Sequence, residues 1–393
     1  MRLILFFSTF ALLYAALHGY VLWKARRAFR FGAALKWGSG LFILFMLSAF
    51  FLVRLLERWG YAWPAQKLAY VGYTWMGFLF LLFCACLAED LYRLGTAAAE
   101  ALLKKDLSRW RWSPRHAFPA VFLCAAGLTV YGHFEALNIR TEYMEIGTSK
   151  IPAKAGRIRI VQISDIHLGL MVREARVRRI LEKVTAARPD ILVSTGDLVD
   201  GEADSLMGVS ALFRRVPARH GKIAVTGNHE YYAGIRKSLA LTESAGFTVL
   251  RGEARHVLPG LSVAGVDDPA GTGDALYRRV SERSLIDSLP QEDFRLLLKH
   301  RPLLDEEAAG HFDLQLSGHT HKGQIFPFTL VLKPMYPTLA GLLGLPKGSL
   351  LYVSRGTGTW GPPIRFLVPP EVTVIDLVPT PSQPAMSVKV RNQ

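Results

Sequence analysis

Arg157-Ile-Arg-Ile-Val-Gln-Ile-Ser-Asp-Ile-His-Leu-Gly169 runs an apolar, β-branched strand pattern straight into a carboxylate and an imidazole two residues apart. The same arrangement recurs through the second half of the chain. Ile191-Leu-Val-Ser194 leads into Gly196-Asp197-Leu198-Val199-Asp200, and Lys222-Ile-Ala-Val225 into Gly227-Asn228-His229-Glu230. Phe294-Arg-Leu-Leu-Leu298 leads to His300, and Phe312-Asp-Leu-Gln-Leu316 to Gly318-His319-Thr320-His321. Between the first two strands, Val177, Ile180, Leu181 and Val184 recur at helical spacing, which predicts a helix over Glu174 to Ala187. Strands alternating with helices predict a layered α/β domain. In open α/β sheets, sites form at the carboxyl ends of strands, where every one of these motifs falls.

The motifs collect Asp165, His167, Asp197, Asn228, His300, His319 and His321. Carboxylate, amide oxygen and imidazole converging from separate loops are what a two-metal hydrolytic centre requires. With no thiolate among them, the donors suit Mn, Fe or Zn, and ligand type alone does not choose between these. The chain holds eleven histidines, and a lone one is more often structural or solvated than a ligand. His18, His116, His133, His220 and His256 therefore carry no functional weight. His311 competes with His300, but it stands where a helix would end, whereas His300 follows an apolar strand and precedes Pro302 by two residues.

With these motifs in this order, residues 157 to 378 resemble the calcineurin-like metallophosphoesterases. The bacterial transmembrane branch is the nearest likeness, through Ser164-Asp-Ile-His-Leu-Gly169, Thr195-Gly-Asp-Leu-Val-Asp-Gly201, Gly227-Asn-His-Glu-Tyr-Tyr232 and Tyr352-Val-Ser-Arg-Gly-Thr-Gly-Thr-Trp-Gly361. The resemblance implies a four-layer α-β-β-α sandwich with two divalent metal ions at one edge. It assigns Asp165, His167 and His321 to one ion, Asn228, His300 and His319 to the other, and Asp197 to both. Two such ions, about 3.5–4 Å apart, lower the pKa of a bridging water and clamp phosphate oxygens during in-line attack. His229 is not a ligand in the family; it faces the substrate and serves the leaving oxygen, an effect worth roughly 10²–10⁴-fold. Asp165 is the expected partner that orients it. Asp200 reads equally as a hydrogen-bonding partner or a turn residue, and Glu230 as part of the turn. One departure is Lys322, where the family commonly has glycine; it either tolerates the loop conformation or adds a cation near the phosphate.

The front of the chain is different material. Four apolar stretches, about Leu3 to Trp23, Trp37 to Val53, Leu68 to Ala88 and Ala117 to Gly132, compare with the ~17–25 residues needed to cross a bilayer. The first and third are long enough; the second is interrupted by Arg54 and the fourth is short. The first fits a signal peptide poorly, because it ends in Leu-Trp-Lys-Ala-Arg-Arg rather than a small-residue cleavage site. The expected organisation is a transmembrane helical domain of about four helices over 1–137, a connector over 138–156, the metallophosphoesterase domain over 157–378 and a flexible tail over 379–393.

Lysine and arginine set the expected orientation. The loop after the first stretch carries Lys24, Arg26, Arg27, Arg30 and Lys36, and that after the third carries Arg93, Lys104, Lys105, Arg109, Arg111 and Arg115. If these loops are cytoplasmic and all four stretches cross, both termini and the catalytic domain lie outside; failure of one of the two marginal stretches, the second or the fourth, inverts that side. Of the net charge of +15, +9 falls before Asn138, so topology accounts for most of the basic excess. No interleaved basic and aromatic surface points to nucleic acid. Cys84, Cys86 and Cys124 all fall within the apolar stretches, as packing residues.

The expected protein is a multi-pass cell-membrane phosphoesterase with an extracytoplasmic site, hydrolysing a phosphodiester or pyrophosphate in a lipid-linked or other phosphorylated small-molecule substrate. Its partners are the lipid bilayer and that substrate; the sequence leaves the oligomeric state open. Similarity to enzymes that cleave UDP-2,3-diacylglucosamine offers an alternative with a cytoplasmic site. A second alternative makes the helices a sensor or transporter and the phosphoesterase domain regulatory, but the spans carry almost no ionisable residue at depth. The run from Ile325 to Pro346 has Lys333 as its one charge; its prolines and glycines predict a loop with short helical pieces, an apolar wall for acyl chains.

Overall fold

The computed structural model describes residues 2–201, 206–380 and 386–391. The chain divides into two compact units, Met1–Phe134 with Gly361–Ile364, and Glu135–Trp360 with Arg365–Gln393.

The N-terminal part is built from α1 (Arg2–Ala28), α2 (Ala33–Arg58), α3 (Ala62–Leu103) and α4 (Pro114–Leu137). Among the described residues three runs are long and apolar enough to cross a membrane: Ala33–Arg58, Ala62–Leu103 and Ser108–Leu137. The interrupted second stretch and the short fourth are thus both included, while the first, α1, is a 27-residue helix outside that group. Charged residues of α1 and α3 pair with one another. Lys24 bonds Glu89 and, at 2.6 Å, Asp90, which also accepts from the Tyr20 hydroxyl at 2.5 Å. His18 is structural: it is buried, donates to the Tyr14 carbonyl and accepts from Trp75 Nε1 at 2.9 Å. The three cysteines are free.

The second unit holds two sheets. One is ordered β13-β1-β12-β2-β3-β4-β5. Its members are β1 (Arg140–Thr148), β2 (Ile158–Ile163), β3 (Ile191–Ser194), β4 (Lys222–Ala224), β5 (Thr248–Val249), β12 (Glu371–Pro379) and β13 (Ser387–Arg391). The other is ordered β10-β11-β9-β8-β7-β6. It is made of β6 (Glu253–Leu258), β7 (Leu261–Gly265), β8 (Phe294–Leu298), β9 (Leu314–Ser317), β10 (Gly341–Gly344) and β11 (Leu350–Val353).

Both sheets are covered on both faces, which is why their central strands read as unbroken apolar runs rather than alternating ones. Ile160, Ile191 and Ile223 of the first sheet meet Val263, Leu296 and Leu314 of the second in one buried core. On the outer face of the first sheet, Val161, Ile163 and Leu192 pack under α5 (Glu174–Ala187), α6 (Met207–Arg214) and α8 (Ile235–Ser244). Outside the second sheet, Ala264 and Leu297 pack on Ile286 of the short α9 (Glu282–Asp287) and on Ala308 and Phe312. The result is the four-layer α/β arrangement expected from the sequence.

Two segments differ from expectation. The stretch read as a connector contains β1, a full strand paired in parallel with β12 from Arg140↔Glu371 to Thr148↔Pro379. Only Met144 and Ile146 of β1 reach the inter-sheet core, so the sequence shows no apolar run there. The stretch read as a loose tail contains β13, antiparallel to β1.

Candidate metal centre

The parallel strands β2, β3, β8 and β9 end at the same edge, and each is followed by a motif identified in the sequence. Beyond the strands the loops continue the ladder: Asp165 N–H donates to the Gly196 carbonyl at 3.1 Å and His167 N–H to the Asp197 carbonyl at 3.0 Å. The backbone turns sharply here. Asp165 (φ 52°), His167 (57°), Asp197 (50°), His319 (71°) and His321 (47°) all adopt the left-handed region. Single residues in that region cost energy and cluster at functional sites, where the surrounding fold holds them. Gly318 shows how tight the packing is, because a Cβ there would lie 1.9 Å from Ser164 Oγ.

Two groups of side chains converge. In the first, His167 Nε2 and His321 Nε2 face each other at 3.0 Å, with Asp165 Oδ1 3.5 Å from His321 Nε2. In the second, Asp197 Oδ2 lies 3.1 Å from His300 Nε2, which is 3.2 Å from His319 Nδ1. Asp197 Oδ2 is also 3.9 Å from His167 Nε2, so this carboxylate touches both groups. The structure therefore brings together six of the seven sequence-identified donors within a few ångströms, and the seventh, Asn228, opens the adjoining helix α7 (Asn228–Ala233).

The donor set fits divalent ions. Asn228 Oδ1 is buried yet accepts no hydrogen bond among the described residues, a cost that a cation would remove. Burial holds His167 down to about 4, His319 down to about 3 and His321 well below the usual imidazole range, so these rings are neutral and keep a lone pair free. Burial also pushes Asp165 up to about 6. Burial opposes charge on His300, but the Asp197 carboxylate against it raises it to about 10. His300 Nδ1 donates to the Thr195 carbonyl at 2.8 Å, which aims Nε2 into the centre.

His229 lies beside this cluster with its ring 4.6 Å from that of His167. Its Nδ1 donates to Asp200 Oδ1 at 2.5 Å. Burial works against its charge, but Asp200 and Asp197 together raise it to about 9. Asp165 is not its partner, contrary to the sequence expectation. The Asp165 carboxylate is committed elsewhere, accepting the Ser164 hydroxyl and the His319 N–H at 2.9 Å.

Sequence reasoning missed two supports. Glu230 is more than a turn residue: its buried carboxylate accepts from Asp197 N–H (3.0 Å), Val199 N–H (3.0 Å) and Gly227 N–H (2.7 Å), tying two ligand loops together. Its place three residues after Gly227, at a helix start, is the spacing of a capping box and was the available signal. Arg365 is fully buried, donates to the carbonyls of Arg355 and Gly358, and places Nη2 3.1 Å from His321 Nδ1, fixing that ring. Nothing in its local sequence announced this. Around the mouth stand Tyr232, Tyr336 and Trp360. Lys322 instead lines a small cavity with Glu142, Tyr352, Arg355 and Glu371. His311 is spent on Asp287 at 2.7 Å, away from the centre.

Comparison with known proteins agrees with this geometry. Residues 158–323 match the family described as calcineurin-like phosphoesterase. An uncharacterized metallophosphoesterase of Aquifex aeolicus is 40% identical over 252 residues, covering 64% of this chain and 96% of that protein. This chain belongs to the metallophosphoesterase family. It is a metal-dependent phosphoesterase, and the family uses divalent metals. An uncharacterized metallophosphoesterase of Campylobacter jejuni is 30% identical over 345 residues, covering 85% of this chain and 87% of the other. A protein of Danio rerio described as a transmembrane protein with metallophosphoesterase domain is 29% identical over 348 residues, 84% of this chain and 76% of its own length. This chain thus has helices able to cross a membrane and relatives described as transmembrane proteins.

Proposed function

We propose that this metallophosphoesterase is a multi-pass membrane protein that hydrolyses a phosphodiester or pyrophosphate bond in a lipid-linked or cell-envelope substrate, with its site outside the cytoplasm. Asp165, His167 and His321 would hold one ion, Asn228, His300 and His319 the other, and Asp197 both. When bound, such a pair of ions activates water for attack and draws charge from the phosphate oxygens. His229 is held by Asp200 through Nδ1, which leaves Nε2 to carry a proton to the leaving oxygen.

The observation that carries the lipid reading is an exposed apolar surface next to the site. After His321 the chain forms α10 (Phe328–Leu332) and a further turn, where Phe328, Leu330, Val331 and Met335 stand 41%, 61%, 61% and 60% exposed. The ring of Tyr336, the next residue, is 5.8 Å from His319. Large apolar side chains exposed together mark a binding or membrane surface. The other half of this segment is different. Leu339 is buried and Leu342 packs on the inter-sheet core from β10, so only the α10 side offers a wall.

Full-length protein loaded with Mn²⁺ or Zn²⁺ should cleave a pyrophosphate- or diester-linked lipid with a higher kcat/KM than bis-p-nitrophenyl phosphate. A preference for the soluble ester would overturn the lipid assignment. An alkaline phosphatase reporter should be active when fused after Asn138 and inactive near Ala34 or Leu107. An inactive Asn138 fusion would place the site in the cytoplasm.

A further inference from the structure

Two open aromatic rings stand against His229. The Trp360 ring centroid is 5.6 Å from that of His229 and the Tyr232 centroid 5.4 Å, each nearly edge-on at 70° and 69°. His229 itself is 8% exposed, whereas Trp360 and Tyr232 are 49% and 64% exposed. Rings of this size left open to solvent beside a buried histidine are not core packing.

Trp360 is also held in place. Gln324 Nε2 donates to the Trp360 carbonyl and Gln324 Oε1 accepts the Trp360 N–H, both at 2.9 Å. Gln324 is buried, adopts a left-handed backbone (φ 56°), and pairs its own carbonyl with Phe366 N–H at 3.1 Å. A side-chain amide gripping both backbone groups of one residue fixes the backbone from which the indole projects. Tyr232 is placed by α7, four residues after Asn228 and three after His229 on the same helix.

From this geometry we infer that Trp360 and Tyr232 form the walls of the leaving-group subsite, and that they select a leaving group with an aromatic face. The inference rests on the role proposed above for His229. The oxygen that receives a proton from His229 must come within hydrogen-bond reach of its ring, so the group attached to that oxygen lies beside Trp360 and Tyr232. A flat group finds two π faces or edges there, and pairing of this kind is worth about two- to tenfold in affinity. Trp360 is a specificity residue: it holds the group that departs and leaves the chemistry to others.

Diphenyl phosphate and bis(2-naphthyl) phosphate test this, because their leaving phenols are of similar acidity and differ in aromatic face. Full-length protein should favour the naphthyl ester in kcat/KM. Trp360→Ala should reduce that preference by about two- to tenfold with bound metal unchanged, and Trp360→Phe should restore part of it. Calorimetry gives a readout free of turnover: 2-naphthylphosphonate should bind more weakly to Trp360→Ala, and methylphosphonate equally to both proteins. Equal losses on both esters, or loss of metal in Trp360→Ala, would overturn the inference. If His229→Gln keeps full turnover while Trp360→Ala loses its discrimination, the subsite stands and the assignment of His229 as proton donor falls.

Discussion

The imidazole of His229 is held by the carboxylate of Asp200, Nδ1 to Oδ1 at 2.5 Å. Asp200 is the fourth residue after Gly196 in the loop that also supplies Asp197, so one loop carries both the carboxylate shared by the two ligand groups and the one that aims His229.

Asp200→Asn keeps the shape of that contact but removes the charge that holds the ring. It should lower kcat by roughly 10- to 100-fold with KM and bound metal close to wild type. Steady-state kinetics with metal analysis on the same preparation checks this. An unchanged kcat would show that the contact does not serve catalysis.

Glu230 gives a structural counterpart. Its carboxylate accepts three N–H groups, including that of Asp197. Glu230→Gln turns one accepting oxygen into a donor facing N–H groups, at a cost of about 1–3 kcal/mol. In a unit of this size the melting temperature should fall by about 2–4 °C per kcal/mol, and bound metal should fall with it. Calorimetry in the presence and absence of added Mn²⁺ measures both, and an unchanged melting temperature would remove Glu230 from the account.

The apolar wall should act on lipid substrates alone. Leu330, Val331 and Met335 are each about three-fifths exposed, so replacing all three by Ser removes little folded-state packing. The triple variant should lose at least tenfold in kcat/KM on a lipid-linked phosphate and less than twofold on bis-p-nitrophenyl phosphate. Equal loss on both substrates, with a lower melting temperature, would return these residues to the core.

Much of this was legible in the sequence because strand ends and metal donors are local signals. β2, β3 and β8 lie where apolar runs predicted them, and α5 spans Glu174–Ala187 as its spacing required. Six of the seven candidate donors, read from residue type and order, converge in the structure. What stayed hidden depends on the partner. β1 pairs through its backbone while presenting few apolar side chains, so periodicity passed over it. Arg365 reaches His321 across 44 residues of chain, and Gln324 reaches Trp360 across 36. The choice of Asp200 over Asp165 for His229 turned on which carboxylate was already occupied, and only hydrogen-bond geometry reveals that.

Metal content of Asp197→Ala tests the central claim most directly. Asp197 Oδ2 is the atom placed 3.1 Å from His300 Nε2 and 3.9 Å from His167 Nε2. Elemental analysis of full-length protein should find about two divalent ions per chain in the wild type. In Asp197→Ala it should find less than one, with hydrolysis of bis-p-nitrophenyl phosphate abolished. An Asp197→Ala protein that keeps both ions would contradict the shared-carboxylate centre on which the account rests.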